Sequence, residues 1–383
     1  MPMMSPEVNI LQAFVYLLPI FSALACILVL YKSEQVGEKL ADKKVLTLLF
    51  FYLLCFVFIW GGTFFYVFYP QWFIVFSSVH YLSYVVLQVV FYHITFTITH
   101  LESDKFSYWH YVPPFVLAIT LLVCSFFIPF EKQLEVVNSR GGIVEGYEAF
   151  STLANSRHLV RAVYSVVYLA LGIYRFWRYR KEVDNISADE EKASLNWMYL
   201  FLGLSFILLI LPFMVVFIPR QTLMDSLTLY VPICLIVIQQ VVLCYYTTTG
   251  QYVLLYTTEE NDEGQETGIQ EVYNIADLNR QKFERYIYSN KPYLKHDLKI
   301  TDITAPLQTN RTYLSTFINR NYGMNFSHFI NTCRLNELEE LLEKTSNRKY
   351  DNLDLILRAG FGSYNSYLRA KKRQQEKQML KVE

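Results

Sequence analysis

Seven apolar stretches, each near the length of a membrane-crossing helix, occupy the first 250 residues of the chain, roughly 10–31, 45–69, 72–99, 111–130, 158–177, 197–218 and 227–248. A helix needs about 20 residues to cross ~30 Å of hydrocarbon. Inside lipid the backbone must satisfy its own polar groups, so runs of this kind predict helices rather than an open sheet. The first stretch is expected to be a span, not a cleaved leader. It has no basic leader and no small-residue cleavage site, and further spans follow it.

The formal net charge of zero is a sum of unlike parts. Residues 1–250 carry 15 Lys and Arg against 16 Asp and Glu, residues 251–277 carry none against seven, and residues 278–383 carry 19 against 11. A near-neutral membrane block, an acidic strip and a basic tail of net +8 are three physically different segments. The short loops also set an orientation, because Lys and Arg accumulate on the cytoplasmic side. With the first loop inside, the inner loops hold Lys32, Lys39, Lys43, Lys44, Lys105, Arg175, Arg178, Arg180, Lys181 and Lys192. The outer loops hold only Lys132, Arg140, Arg157 and Arg220. The bias predicts an outside N-terminus and a cytoplasmic C-terminal domain.

Polar residues at bilayer depth are costly and usually functional. No Asp or Glu lies within any of the seven stretches, which argues against a proton relay or a carboxylate ion site. The third stretch carries His80, Gln88, His93 and His100 among several tyrosines. His93 and His100 are seven apart and share a helical face, whereas His80 is thirteen from His93 and does not. Packing and interhelical hydrogen bonding is the plain reading; the functional one makes Gln88, His93 and His100 a ligand pocket or a pH-sensitive switch. Arg161, one turn into the fifth stretch beside Arg157 and His158, is expected to snorkel to the outer interface. Pro212, Pro219 and Pro232 are expected to kink or end helices. The connection 131–156, with four glutamates around Gly141-Gly142, reads as a solvated loop, with a lid as the alternative. Five of the six cysteines fall in apolar runs and none shows metal-ligand spacing, so buried inert thiols are expected and no metal site is predicted.

The division expected is therefore a seven-helix transmembrane domain over 1–250, an acidic flexible linker over 251–277 and a soluble domain over 278–383, all α-helical. Low hydrophobicity and charge of one sign argue against packing in the strip, while Val272, Ile275, Leu278, Phe283 and Ile287 permit an amphipathic helix leading into the tail. Beyond Asp277 the apolar period is that of short helices. One begins at Asp302-Ile303-Thr304, a polar turn falls at Thr309-Asn310-Arg311, a second helix stops at Gly323, and Asn325-Phe326-Ser327 caps a long third. Two short helices about a tight polar turn, occurring twice and joined by one long helix, make a tandem helix-turn-helix.

The residues TNRTYLSTFINRNYGMNFSHFINTCRLNELEELLE, followed by LDLILRAGFGSYNSYLRAKKR, resemble the DNA-binding domain of the AraC/XylS family of bacterial transcription regulators over about 280–375. The resemblance implies that the second helix of each motif enters a major groove. Thr312, Ser315, Thr316 and Asn319, then Tyr364, Asn365 and Arg369, would contact bases. Asn pairs bidentately with adenine and Arg with guanine, and a Thr methyl meets the thymine methyl. Arg311, Arg320, Lys371, Lys372 and Arg373 would hold phosphates and set register. Arg334, in the connecting helix, would make a structural ion pair. The chain departs from the family pattern in three ways: Pro306 interrupts the first motif, Lys371 stands at a place usually held by a core Phe, and the usual Gly-x-x-Pro ending is missing.

No phosphate-cradling glycine loop, nucleophile elbow or metal-ligand cluster is found, so neither an enzyme nor a resident cofactor is expected. The resemblance implies a one-component regulator in a bacterial inner membrane, its partners being the bilayer, DNA, a signal ligand, a second copy in a homodimer, and RNA polymerase if it activates. The alternative is a seven-span receptor whose degenerate tail binds a protein.

Overall fold

The computed structural model describes residues 10–35, 42–100, 105–188, 193–218, 222–223, 229–252, 278–345 and 352–379. Among them the secondary structure is helical, with one isolated antiparallel bridge between Ser187 and Lys299. Seven helical segments are long and apolar enough to cross a membrane, and the chain is accordingly a multi-pass membrane protein. Two compact units emerge. One comprises residues 1–99, 104–176 and 196–251; the other 100–103, 177–195 and 252–383. This differs from the contiguous division above, because 177–195 groups with the basic tail. The acidic strip lies outside the described residues from 253 to 277.

The first unit contains α1 (Ile10–Gln35), α2 (Lys43–Phe68), α3 (Pro70–Ile98), α4 (Val112–Phe126), α5 (Phe130–Asn138), most of α6 (Glu148–Glu182), α7 (Trp197–Leu208), α8 (Ile210–Phe217) and α9 (Tyr230–Thr248). The Asp42 carboxylate accepts from the Lys44 and Val45 amides and starts α2. Pro70 stands at the first turn of α3, where its missing N–H costs nothing, so α2 and α3 are joined only by Tyr69. They pack side by side, and α1 lies against α2 and α9. Helices α2 and α3 approach closely at Gly62, where an added Cβ would overlap the His80 ring. Small residues at such crossings let helices meet closely in lipid.

The sixth span is two helices. Pro212 has no N–H to give the Leu208 carbonyl, and the Leu209 amide turns instead to the Phe206 carbonyl, a tighter bond that separates α7 from α8. The expected loop 131–156 is also partly helical. Pro129 opens α5, whose Val136 is buried, and the stretch from Glu148 is already α6. Large apolar side chains on the spans, such as Phe21, Leu28, Val75 and Phe206, are exposed, as lipid-facing positions are.

The second unit holds α10 (Arg280–Asn290), α11 (Ile300–Thr304), α12 (Arg311–Tyr322), α13 (Phe326–Thr345), α14 (Asn352–Arg358) and α15 (Tyr364–Met379). Polar side chains set its helix starts. Asn279, Asn310 and Asn325 accept from the amides of Lys282, Tyr313 and His328. Helix α11 begins at Ile300, before Asp302, and is only five residues long. It ends before Pro306, and the chain then turns through Gln308 at φ 53°. Gly323 ends α12 in the left-handed conformation, as its position suggested. Helix α13 packs against α12, α14 and α15. Phe283, Ile318, Phe326 and Ile330 fill one core, and Leu335, Leu338, Leu355, Ile356 and Phe361 the other.

Residues 183–188 and 193–195 group with this unit. Ile186 and Leu195 are fully buried, and Ala188 and Ala193 nearly so. The Ala188 amide donates to the Leu298 carbonyl and the Ile300 amide to the Ile186 carbonyl, at 3.0 and 2.9 Å. Burying an isoleucine or leucine side chain contributes about 1.5–3 kcal/mol each. Arg334, 2% exposed, adds a polar knot. Its guanidinium donates to the carbonyls of Tyr293, Lys295, His296 and Ala188 and to the Asn331 amide oxygen. Where an ion pair was expected, these partners are neutral carbonyl oxygens.

Candidate nucleic-acid interface and a cationic cavity in the bundle

Two surfaces concentrate chemistry, one in each unit. On α12 the expected base-contacting residues fall at i, i+3, i+4 and i+7, so Thr312, Ser315, Thr316 and Asn319 share one face, with Arg320 at its end. Thr312, Thr316, Asn319 and Arg320 are exposed and Ser315 is half-buried. The opposite face buries Leu314, Phe317 and Ile318, which fixes the orientation of the polar one. The Thr316 hydroxyl donates to the Thr312 carbonyl, leaving its methyl and lone pairs outward. On α15, Tyr364, Asn365, Arg369, Lys371, Lys372 and Arg373 are all exposed, while Ala370 is buried. Lys371, at the expected departure from a core Phe, extends over the Tyr367 ring at 5.7 Å.

Two of the cations sit opposite acids from the segment 177–195. Arg311 approaches Glu182 at 3.4 Å, and Arg373 approaches Asp184 at 3.9 Å. Neither acid was singled out from sequence, since both fall in an unremarkable polar connection. A buried brace stands apart from this face: Lys291 and the Tyr293 hydroxyl both donate to Glu337, at 2.7 and 2.9 Å. Burial pushes the Glu337 carboxyl up, but these two donors outweigh it and hold it below the usual carboxylate range. The same carboxylate and burial push the Tyr293 phenol up.

In the bundle, the expected pocket of Gln88, His93 and His100 is not one pocket. Gln88 lines a cavity of about 60 Å³ with Arg161, Ser165, Ser205 and Gln239. His93 is instead engaged by its neighbours: its ring stacks on Phe106 at 3.7 Å and its Nδ1 hydrogen-bonds the Tyr111 hydroxyl at 3.0 Å. His100 follows α3 and groups with the second unit.

A second cavity, of about 90 Å³, lies between α1, α2, α3, α6 and α8. Its wall includes Tyr16, Trp60, Thr63, Tyr66, His80, Tyr84, Arg157, His158 and Arg161. Arg161 lines both cavities, with its guanidinium 4.5 Å from the Tyr84 ring centre. Arg157 lies over Tyr66 and Phe73 and donates to the Ala154 carbonyl. His80 packs on Tyr84 at 4.5 Å, with its Nε2 3.4 Å from the Thr63 hydroxyl. The spacing of Arg157 and Arg161 on α6, and of His80 and Tyr84 on α3, was readable as i, i+4 pairs. Their convergence across helices was not.

Comparison of the chain with protein-family models, curated proteins and solved structures finds no match.

Proposed function

We propose that the chain is a membrane-tethered one-component transcription regulator whose spans sense a ligand and whose C-terminal unit, a tandem helix-turn-helix, binds promoter DNA in the cytoplasm of a bacterium. The observation that carries this reading is the pair of exposed helical faces on α12 and α15. Each is built from hydrogen-bonding and cationic side chains, within a tail of net +8. Asn319, Asn365 and Arg369 have the donors and acceptors that read base edges, while Arg311, Arg320, Lys371, Lys372 and Arg373 suit phosphates. The excess of Lys and Arg in alternate short loops supports a cytoplasmic tail.

Regulation follows from the acids beside the cations. Glu182 and Asp184 compete with DNA phosphate for Arg311 and Arg373. Both acids continue directly from α6, which carries Arg157 and Arg161. A ligand that binds one bundle conformation better than another shifts their equilibrium, and only by that difference in affinity. Withdrawal of the acids would free the phosphate contacts.

The test uses the full chain in lipid nanodiscs, because residues 183–195 complete the C-terminal unit. A randomised duplex pool is selected at two salt concentrations. Enrichment of a motif with two half-sites about one helical turn apart is expected, with affinity falling steeply as salt rises. Arg369→Ala or Asn365→Ala should relax the preference at one position, and Lys372→Ala should weaken all sequences alike. Binding without any enriched sequence removes base reading, and no binding at all replaces DNA with a protein partner.

A further inference from the structure

The cationic cavity has a chemistry that the proposed regulator does not specify. Among the described residues, Arg161 makes no hydrogen bond or ion pair, and its Nε is buried without a partner. His80, 3% exposed, likewise has a buried Nδ1 without a partner among the described residues. Both line the same cavity, and no Asp or Glu is on its described wall. Charge at bilayer depth is normally paired, and an unpaired buried polar group costs on the order of 1–3 kcal/mol. A guanidinium held over an aromatic ring, without a hydrogen-bond or ion-pair partner among the described residues, is a receptor for an anion with two acceptor oxygens. Trp60, Leu211 and Val215 give the wall an apolar side.

We infer that this cavity binds a small monocarboxylate, its two oxygens on the Arg161 guanidinium and its short hydrocarbon tail against Trp60, Leu211 and Val215. Size sets the tail length. At about 90 Å³ the cavity is smaller than the ~150 Å³ that accepts benzene, so a short-chain acid is favoured over an aromatic one. Arg157 does not lead the recognition, since it already has the Ala154 carbonyl and two aromatic faces. Gly62 makes the site rigid, because its missing side chain lets the His80 ring lie against α2. The inference names the ligand class for the sensor proposed above; the binding step itself does not depend on DNA recognition.

Thermal unfolding of the full chain in nanodiscs tests it at constant ionic strength, with propionate, its neutral isostere propionamide, and inorganic phosphate as probes. Propionate should raise the midpoint in a saturable way, as a ligand of the native state does. Propionamide should need at least a tenfold higher concentration for the same rise, and Arg161→Gln should abolish the propionate shift while Arg161→Lys keeps part of it. The wild-type comparison stands even where Arg161→Gln fails to fold. Equal shifts from propionate and propionamide overturn the proposal, as does a phosphate shift as large as that of propionate, or no shift from any probe. A propionate shift that leaves DNA affinity unchanged would retain this site and remove its role in the regulator.

Discussion

Two glycines in the AGFG segment separate a geometric demand from a mere motif. Gly360 adopts φ 93°, and a Cβ built on it would stand 2.3 Å from the Tyr293 carbonyl oxygen and 2.7 Å from the Leu294 Cα. Both obstacles are backbone, so no rotamer change relieves them. Gly360→Ala therefore incurs about 1–2 kcal/mol for the left-handed backbone and about 1–3 kcal/mol for the overlap. The middle of that range, ~3 kcal/mol, corresponds to a fall on the order of 10 °C in the melting of a unit this size. Gly362 is the control: its nearest neighbour would be the His296 ring at 3.7 Å, an ordinary contact. Gly362→Ala should stay within about 0.5 kcal/mol of wild type. Hydrogen exchange of the full chain, read on peptides from α14 and α15, measures both variants under the same conditions. Equal protection in the two would refute the close-approach argument and leave the glycines as motif without mechanism.

Other expectations follow from the same unit. The Glu337 carboxyl is held below its ordinary value of 4.5 in the folded chain, so the stability it contributes is present above that pH and is lost as pH falls through the depressed value. Glu337→Gln should thus destabilise the chain at pH 7, with the difference from wild type closing below about pH 4; a pH-independent difference would refute the linkage. The double variant Glu182→Gln, Asp184→Asn should bind DNA several-fold more tightly at low salt and less distinctly so at high salt, since half-exposed pairs contribute about 0.2–1 kcal/mol each. Unchanged affinity would remove the competition with phosphate. Arg334→Met should cost about 3–5 kcal/mol, because four carbonyls and the Asn331 amide lose a buried donor together; chemical denaturation of the full chain reads it, and a cost below 1 kcal/mol would mean that water replaces the guanidinium.

The spans were legible because each carries an unbroken apolar run, and hydropathy needs no tertiary information. Even so, the run marked only the greasy part of α6. Its last turns, containing Arg178, Arg180 and Lys181, are polar and yet helical. The break at Leu209 was implicit in Pro212, since the lost hydrogen bond always falls four residues earlier. Helix starts at Asn310 and Asn325 were readable from capping chemistry, whereas Lys299 before α11 was not, as no standard capping residue stands there. The site residues divide in the same way. Thr312 to Asn319 share a face by helical arithmetic alone. His80 and Arg161 lie in different spans, and periodicity within one span says nothing of what faces it from another. Glu182, Asp184 and Ile186 carried no signal, because a short polar connection has no period to read.

That short connection changes the topology of the C-terminal unit. The unit is assembled from three separate stretches of chain, 100–103, 177–195 and 252–383, so the strip after α9 is not its sole covalent connection to the spans. A protease that cut within residues 259–266 would break one covalent attachment and leave the route through α6 and α7 intact, joined to the tail by the Ile186–Ile300 and Ala188–Leu298 hydrogen bonds and the Arg334 knot. Cleavage of the strip would thus yield a nicked but assembled molecule, unlike membrane-bound factors released by a single cut. Under the proposed function, a signal from the bundle would act on a unit that stays attached.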